Sequence, residues 1–269
     1  MAKDKETKRL LSRRDTLGLI GGAGLAAIVG CGGDDDKQAT QSATSTTSAS
    51  AGRSATATAS RASTATATAA PVACVVTPAL TEGPYFVDER LNRSDIRSDP
   101  GTGAVKEGVP LRLNLTVSNV DGGTCAPIAN AVVDMWHCDA LGEYSDISSG
   151  AGQSNTSGQK FLRGYQVTDA NGSVQFQTIY PGWYRGRTIH IHFKARTEPD
   201  SASGYEFTSQ MFFDEAITDA VLARAPYNQK GSPDTRNAGD SIFNRALVVP
   251  LTAEGDGYSG TLHIGVNAA

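Results

Sequence analysis

Two of the four histidines in this chain, His190 and His192, are separated by a single residue in the segment GRTIHIHFKA (186–195). In a β-strand, side chains two residues apart point to the same face, so a strand here places both imidazoles side by side. Ile189 and Ile191 would then lie on the opposite face. Imidazole is the commonest metal ligand in proteins. The pair therefore suggests a metal site, and a solvated polar strand face is the alternative.

Alternating sequence patterns predict the strands that must position these histidines. PLRLNLTVSN (110–119) alternates apolar and polar residues without exception, as a half-buried strand does. Only Asp214 to Ala225 has a helical pattern, and Asn171-Gly172 predicts a tight turn between two strands. Further strands are expected at NAVVDMWH, GYQV, SVQFQTI, RTIHIHF, YEFTSQMFF, RALVVPL and GTLHIGV. Many short strands and one short helix predict an all-β protein, an antiparallel β-sandwich with long strand-end loops.

Two loops at strand ends carry groups suited to chemistry, because loops held by a rigid scaffold are where sites are usually built. The first is WHCDALGEYSD (136–146) and the second runs through TIYPGWYRGRTIHIH (178–192), which ends on the histidine pair. Each contains a tyrosine after a glycine-containing turn, Tyr144 in the first and Tyr184 in the second. Taken singly, either tyrosine could be an ordinary packing residue.

Three motifs together resemble a known family in their order and spacing. DMWHCDALGEYSD, TIYPGWYRGRTIHIHF and TSQMFF resemble the intradiol ring-cleavage dioxygenases, which include the catechol, hydroxyquinol and protocatechuate dioxygenases. The resemblance covers most of residues 73–269. It implies a non-haem Fe(III) enzyme that uses O₂ to cleave a catechol-type ring between its two hydroxylated carbons, giving a cis,cis-muconate-type diacid. The implied metal ligands are Tyr144, Tyr184, His190 and His192.

The resemblance also assigns roles to the residues around the metal. It implies that Tyr184 leaves the metal when substrate binds, that Arg187 faces the substrate, and that Gln210 orients substrate or an oxygenated intermediate. LTEGPYF (80–86) resembles the segment that lines the substrate pocket. The residues expected to shape that pocket are Gly83, Pro84, Tyr85 and Trp183.

Elementary chemistry supports this ligand set. Ferric iron is a hard cation that favours anionic oxygen, and a phenol with a pKa near 10 is readily deprotonated when it binds such an ion. Two phenolates and two neutral imidazoles would leave one net positive charge on the centre. The guanidinium of Arg187 stays protonated in almost any site, so its interaction with developing negative charge is independent of pH.

Two other functions fit parts of the sequence. His137 and Asp139 match the His-x-Asp part of an Fe(II) facial triad, with His263 as a distant third ligand. Alternatively, the chain is a non-enzymatic exported lipoprotein whose sandwich binds a small ligand or partner, because fold alone does not decide function.

The N-terminal region has the pattern of an export signal and a tether. Arg13 and Arg14 precede an apolar run (17–30), as in a twin-arginine signal, and IVGC resembles a lipoprotein cleavage box ending at Cys31. We expect a signal at 1–31, a disordered Ser/Thr/Ala-rich linker at 32–71 and the catalytic domain at 72–269. The predicted location is the periplasmic or extracellular face of the cell envelope, with membrane contact only through a lipid on Cys31. The formal net charge of −4 argues against nucleic acid as a partner.

Three cysteines follow Cys31, namely Cys74, Cys125 and Cys138. Outside the cytoplasm one disulfide is expected, and the sequence does not rank the three pairings. Cys138 follows an apolar strand, which is typical of a buried free thiol.

Overall fold

A computed structural model describes residues 74–150, 152–197 and 205–267. These residues form nine strands and one α-helix, together with three short 3₁₀ turns. The strands are β1 (Pro110–Asp121), β2 (Thr124–Pro127), β3 (Val132–Trp136), β4 (Arg163–Val167), β5 (Ser173–Ile179), β6 (His190–Arg196), β7 (Glu206–Phe212), β8 (Leu251–Glu254) and β9 (Gly257–Val266). The helix, α1, spans Glu215–Leu222 and begins after Asp214, whose carboxylate accepts hydrogen bonds from two backbone N–H groups of the first turn.

The strands form two sheets that share one apolar core, and the expected β-sandwich is confirmed. One sheet has the order β2-β1-β9-β8 with β5 also paired to β1, and the other has the order β4-β3-β6-β7. Alternate residues of β1, such as Leu111 and Leu113, pack in the same core cluster as Ile191 and Phe193 of β6. The strand pairs of both sheets are antiparallel with one exception, since β1 and β9 run parallel.

The strand β6 is buried on both of its faces. Ile191, Phe193 and Ala195 face the sandwich core, and His190 and His192 lie on the opposite, outer face with 1–2% of their surface exposed. Loops cover this outer face, so the histidine pair is not on a solvated strand face. The alternation of β6 therefore places the two histidine side chains in a buried environment, which costs free energy unless their ring nitrogens have partners.

One predicted strand is wrong in part. RALVVPL was expected to be extended, but Arg245–Leu247 form a 3₁₀ turn and β8 begins only at Leu251. The cause is local, because the Asn244 side chain accepts a hydrogen bond from the N–H of Ala246 and starts a turn. The turn at Asn171-Gly172 forms as predicted, with Gly172 at φ +71°.

The cysteine pairing that the sequence left open is resolved. Cys74 and Cys125 form a disulfide, and Cys138 is a buried free thiol. The predicted signal at 1–31, with Cys31, and the predicted linker at 32–71 lie outside the described residues. Within the described ranges, no helix has the length and apolar character needed to cross a membrane.

Candidate metal centre

The two histidines of β6 direct one nitrogen each toward a common point. The Nε2 atoms of His190 and His192 are 3.1 Å apart. Nδ1 of His190 donates a hydrogen bond of 2.6 Å to the carbonyl oxygen of Thr188, which leaves the lone pair of its Nε2 free to bind a metal. The indole of Trp136, paired with His192 across the strands, stacks on the His192 ring with centroids 5.0 Å apart. Both rings are therefore fixed in orientation.

Tyr184 reaches the same point from the loop that connects β5 to β6. Its hydroxyl oxygen lies 3.1 Å from Nε2 of His190. The residue is partly exposed, in contrast to the histidines. The loop is attached to the protein at Gly186, whose N–H donates to Asp234, and at Thr188, whose N–H donates to Asp240.

Tyr144 completes the cluster from the loop after β3. Its ring lies edge-on to Tyr184, with centroids 5.7 Å apart, and 6.4 Å from His192. The ring also stacks on Tyr85 at 4.5 Å. Its hydroxyl oxygen is buried and has no partner at hydrogen-bond distance among the described residues, and the hydroxyl of Tyr184 interacts with it only at longer range. A buried hydroxyl without a partner is costly, so this oxygen indicates a missing ligand.

Burial keeps all four groups uncharged in the metal-free protein. Desolvation lowers the pKa of His190 to about 3 and that of His192 well below its usual value, with neighbouring positive charge acting in the same direction. Desolvation likewise raises the pKa of Tyr144 and of Tyr184. The histidines are therefore neutral imidazoles at neutral pH, which is the form that binds metals.

The spacings of the donor atoms of Tyr184, His190 and His192 fit a bound metal ion, and the phenolic oxygens suit a ferric one. Two donors bound at right angles to one ion at about 2.1 Å lie about 3 Å apart, and the 3.1 Å spacings at His190 match this distance. Within the described residues no cluster of three or more His, Cys, Asp or Glu side chains could hold a metal. A metal at this place therefore depends on the phenolic oxygens, which a hard trivalent cation prefers.

A second layer of polar groups surrounds the histidines. The guanidinium of Arg187 lies 3.5 Å from Nε2 of His190, donates to the Asp240 carboxylate at 2.8 Å and donates to Oε1 of Gln210 at 2.6 Å. Gln210, opposite His192 on β7, donates in turn to the carbonyl oxygen of Thr81 at 2.8 Å. The structure thus brings Arg187 and Gln210 to the cluster, and Gln210 links Arg187 to the segment 80–86.

The residues predicted to shape a substrate pocket separate into two groups. Tyr85 stacks on Tyr144 and lies edge-on to Tyr184, and a side chain at Gly83 would meet Cε1 of His192 at 3.3 Å. Pro84 between them is exposed. Trp183 instead donates its indole N–H to the carbonyl oxygen of Gly231 and packs against the sandwich core. None of the contacts described for the Trp183 side chain is with the four clustered groups.

The alternative facial triad is not brought together. His137 is fully buried, and its two ring nitrogens bond the carbonyl oxygen of Cys138 at 2.8 Å and the hydroxyl of Thr178 at 2.6 Å. His263 lies on β9 in the other sheet, next to the sulfur of Cys125.

Two residues of the site were not found by sequence reasoning. Asp240 holds Arg187 and the backbone of Thr188, and it comes from a loop without a recognisable pattern. Arg163 lies buried beside Tyr144. A single arginine in a strand pattern is usually exposed, so the sequence offered no signal for it.

Comparison with known proteins gives consistent matches. A family model described as Dioxygenase matches residues 81–229. The solved structure of an intradiol ring-cleavage dioxygenase from Tetranychus urticae has a TM-score of 0.62 and 32% sequence identity, over 72% of this chain and 96% of that one. Catechol 1,2-dioxygenase 1 of Acinetobacter lwoffii is 34% identical over 140 residues, which are 44% of this chain and 41% of that protein. The protocatechuate 3,4-dioxygenase beta chain of Burkholderia cepacia is 32% identical over 162 residues, or 56% of this chain and 63% of that one. The matched part thus spans less than two thirds of either curated relative.

Proposed function

This chain belongs to the intradiol ring-cleavage dioxygenase family, and from that premise we propose that it binds Fe(III) and cleaves catechol-type rings with O₂. Cleavage falls between the two hydroxylated carbons and gives a cis,cis-muconate-type diacid. The observation that carries the proposal is the convergence of Tyr184, His190 and His192 beside the unpartnered oxygen of Tyr144.

The four donors have distinct tasks. Tyr144, His190 and His192 would hold the metal throughout, because each is buried and fixed by a ring stacked on it or by a hydrogen bond. When bound, ferric iron supplies a centre that two catechol oxygens chelate and that makes the aromatic ring reactive toward O₂. Tyr184 is the donor that can be exchanged, since it is partly exposed and lies on a loop.

Tyr184 would also accept a proton from the substrate. A catechol must lose both hydroxyl protons to bind as a dianion. The phenolate oxygen of Tyr184 would take one of them and the neutral phenol would then withdraw from the cluster, while a hydroxide ion from solvent would take the other and leave as water. Tyr144 cannot withdraw in the same way, because its ring is stacked on Tyr85 and its backbone is bonded to Gln153 and Thr156.

Arg187 provides fixed positive charge next to the bound ring. Its guanidinium is held at two points, by Asp240 and by Gln210, so it is already oriented before substrate arrives. A charge held in advance costs no reorganisation when negative charge develops on the substrate. Tyr85 supplies an aromatic surface beside the donor atoms, which suits a planar substrate.

Oxygen consumption and colour test this function. The purified full chain is reconstituted with Fe(III) and supplied with catechol, protocatechuate and hydroxyquinol in turn. We expect one O₂ consumed per ring cleaved and a red to burgundy protein, because tyrosinate bound to Fe(III) absorbs visible light. Tyr144→Phe and His192→Ala should lose both iron and activity. A colourless protein that consumes no O₂ with any diol would contradict the proposal and favour the non-enzymatic carrier.

Location is part of the same proposal. Export is supported by the disulfide between Cys74 and Cys125, since disulfides persist in oxidising compartments. The lipid anchor at Cys31 is proposed from the sequence alone. Fractionation of producing cells tests it. Export predicts activity in the envelope fraction, and Cys31→Ser should release the enzyme from the membrane. Wild-type activity found only in the cytoplasm would refute it.

A further inference from the structure

Arg163 of β4 is a buried arginine that joins two segments of the site. Its Nε and Nη2 donate to the carbonyl oxygen of Ser145, at 3.2 and 2.7 Å, and Nε also lies 2.9 Å from the Ser145 hydroxyl. Its Nη1 donates to the carbonyl oxygen of Tyr85 at 2.7 Å. Ser145 follows Tyr144 directly, so one guanidinium holds the backbone of Tyr85 and that of the residue next to Tyr144.

No carboxylate is in direct contact with the guanidinium of Arg163, and the charges of Glu89 and Asp146 act on it only at longer range. Within the described residues no Asp or Glu oxygen forms an ion pair with this guanidinium, and only 2% of the residue is exposed. Burial lowers its pKa to about 10, so it remains a cation at neutral pH. A buried charge without a paired counter-charge is destabilising in general. Its centre is 5.9 Å from the centroid of the Tyr144 ring, which would carry negative charge as a metal ligand.

We propose that Arg163 is a positioning residue of the metal centre, which fixes the stacked Tyr85–Tyr144 pair and offsets the negative charge of Tyr144 when that residue binds ferric iron. This inference rests on the proposed function. It gives the site a cation behind the Tyr144 ring, separate from Arg187 beside the histidines.

The charge of Arg163 and its hydrogen bonds have different measurable effects. A nearby cation lowers the energy of the electrons on a phenolate. Its removal therefore shifts the phenolate-to-iron charge-transfer band to longer wavelength. Loss of the hydrogen bond to the Tyr85 carbonyl loosens the aromatic surface beside the donor atoms, and this weakens substrate binding without moving the band.

Two variants separate these effects, and a third controls for stability. Arg163→Met removes charge and hydrogen bonds, whereas Arg163→Lys keeps a buried charge but not the two-pronged geometry. Arg93→Met is the matched control, because Arg93 donates to the backbone carbonyls of Ser98, Lys160 and Arg163, and none of these hydrogen bonds is to Tyr85 or to Tyr144 and Ser145. Each iron-loaded full-length protein is titrated with 4-nitrocatechol, and its visible spectrum and thermal unfolding are recorded.

We expect Arg163→Met to bind less iron and to show a red-shifted band, while Arg93→Met loses stability with its band unmoved. Arg163→Lys should keep the wild-type band and bind 4-nitrocatechol about tenfold more weakly, equivalent to about 1.4 kcal/mol. An unshifted band in folded, iron-loaded Arg163→Met overturns the inference. If Arg163→Met does not fold, Arg163→Lys decides alone, and wild-type affinity in that variant overturns the inference. A colourless wild-type protein would instead overturn the proposed function, and this inference with it.

Discussion

The unpartnered hydroxyl of Tyr144 leads to a prediction in which stability and function change in opposite directions. In the metal-free protein this oxygen is buried without a hydrogen bond. Burying a hydroxyl in this way costs about 1–3 kcal/mol. Tyr144→Phe removes the oxygen and leaves the stacking on Tyr85 in place. We therefore expect the metal-free variant to be more stable than the metal-free wild type by about 1 kcal/mol or more, and unable to retain iron.

A second buried tyrosine provides the matched control. The hydroxyl of Tyr227 donates to the carbonyl oxygen of Tyr180 at 2.6 Å and accepts from the N–H of Val109 at 3.0 Å. Tyr227→Phe leaves both of these backbone groups without a partner, so it should destabilise the protein by about 1–3 kcal/mol. The same substitution is thus expected to raise stability at Tyr144 and to lower it at Tyr227.

Thermal unfolding of the full chain, with and without Fe(III) after exhaustive chelation, measures these effects. A change of 1 kcal/mol shifts the melting temperature by roughly 2–4 °C in a domain of this size. Metal-free Tyr144→Phe should melt a few degrees above the wild type, and Fe(III) should raise the melting temperature of the wild type alone. If metal-free Tyr144→Phe melts at or below the temperature of the metal-free wild type, the Tyr144 hydroxyl does not destabilise the metal-free protein, and its identification as a metal ligand from its lack of a partner is refuted.

Three further predictions concern the surroundings of the donors. Gly83→Ala should cost about 1 kcal/mol through its φ of +71° and also reduce iron content, because the new methyl group meets His192. Gly103→Ala, at φ +74° with open space around it, should show the same melting shift without iron loss, and equal iron loss in both would contradict the contact. Asp240→Asn should flatten the acid limb of a stability–pH curve. Burial alone would raise the pKa of Asp240, but hydrogen bonds from two backbone amides and a guanidinium lower it below its usual value of 3.8. The carboxylate therefore stabilises the protein above about pH 4, and this stabilisation is lost as the pH falls through the pKa that Asp240 has in the folded protein. An unchanged acid limb in this variant would disprove that assignment. His137→Gln should lower the free energy of unfolding by about 1–3 kcal/mol, because it disrupts two buried hydrogen bonds, and it should leave the iron content unchanged. A folded variant without iron would instead indicate that His137 is a metal ligand, as the facial triad requires.

The strand pattern predicted most of the fold, because burial of one face imposes a period of two. Leu111, Leu113 and Leu115 enter the core as their alternation requires. The parallel pairing of β1 with β9 was not predictable, since an alternating strand carries no information on the direction of its neighbour. RALVVPL failed for a different reason, because the side chain of Asn244 competes locally with the extended conformation.

The candidate site was predictable where residue type and spacing both carry information. The two histidines meet because strand geometry places alternate residues on one face, and the family motifs identified Tyr144 and Tyr184. The supporting contacts were not accessible in the same way. Asp240 reaches Arg187 across 53 positions of sequence. Such a contact exists only after the loops have folded over the outer face of the sheet.

Anomalous diffraction at the iron absorption edge, from crystals of the iron-loaded full chain, tests the central claim most directly. We expect one peak with the hydroxyl oxygens of Tyr144 and Tyr184 and the Nε2 atoms of His190 and His192 all within bonding distance, about 2 Å. An iron peak held by other residues, or no peak between these four side chains in an active enzyme, would contradict it.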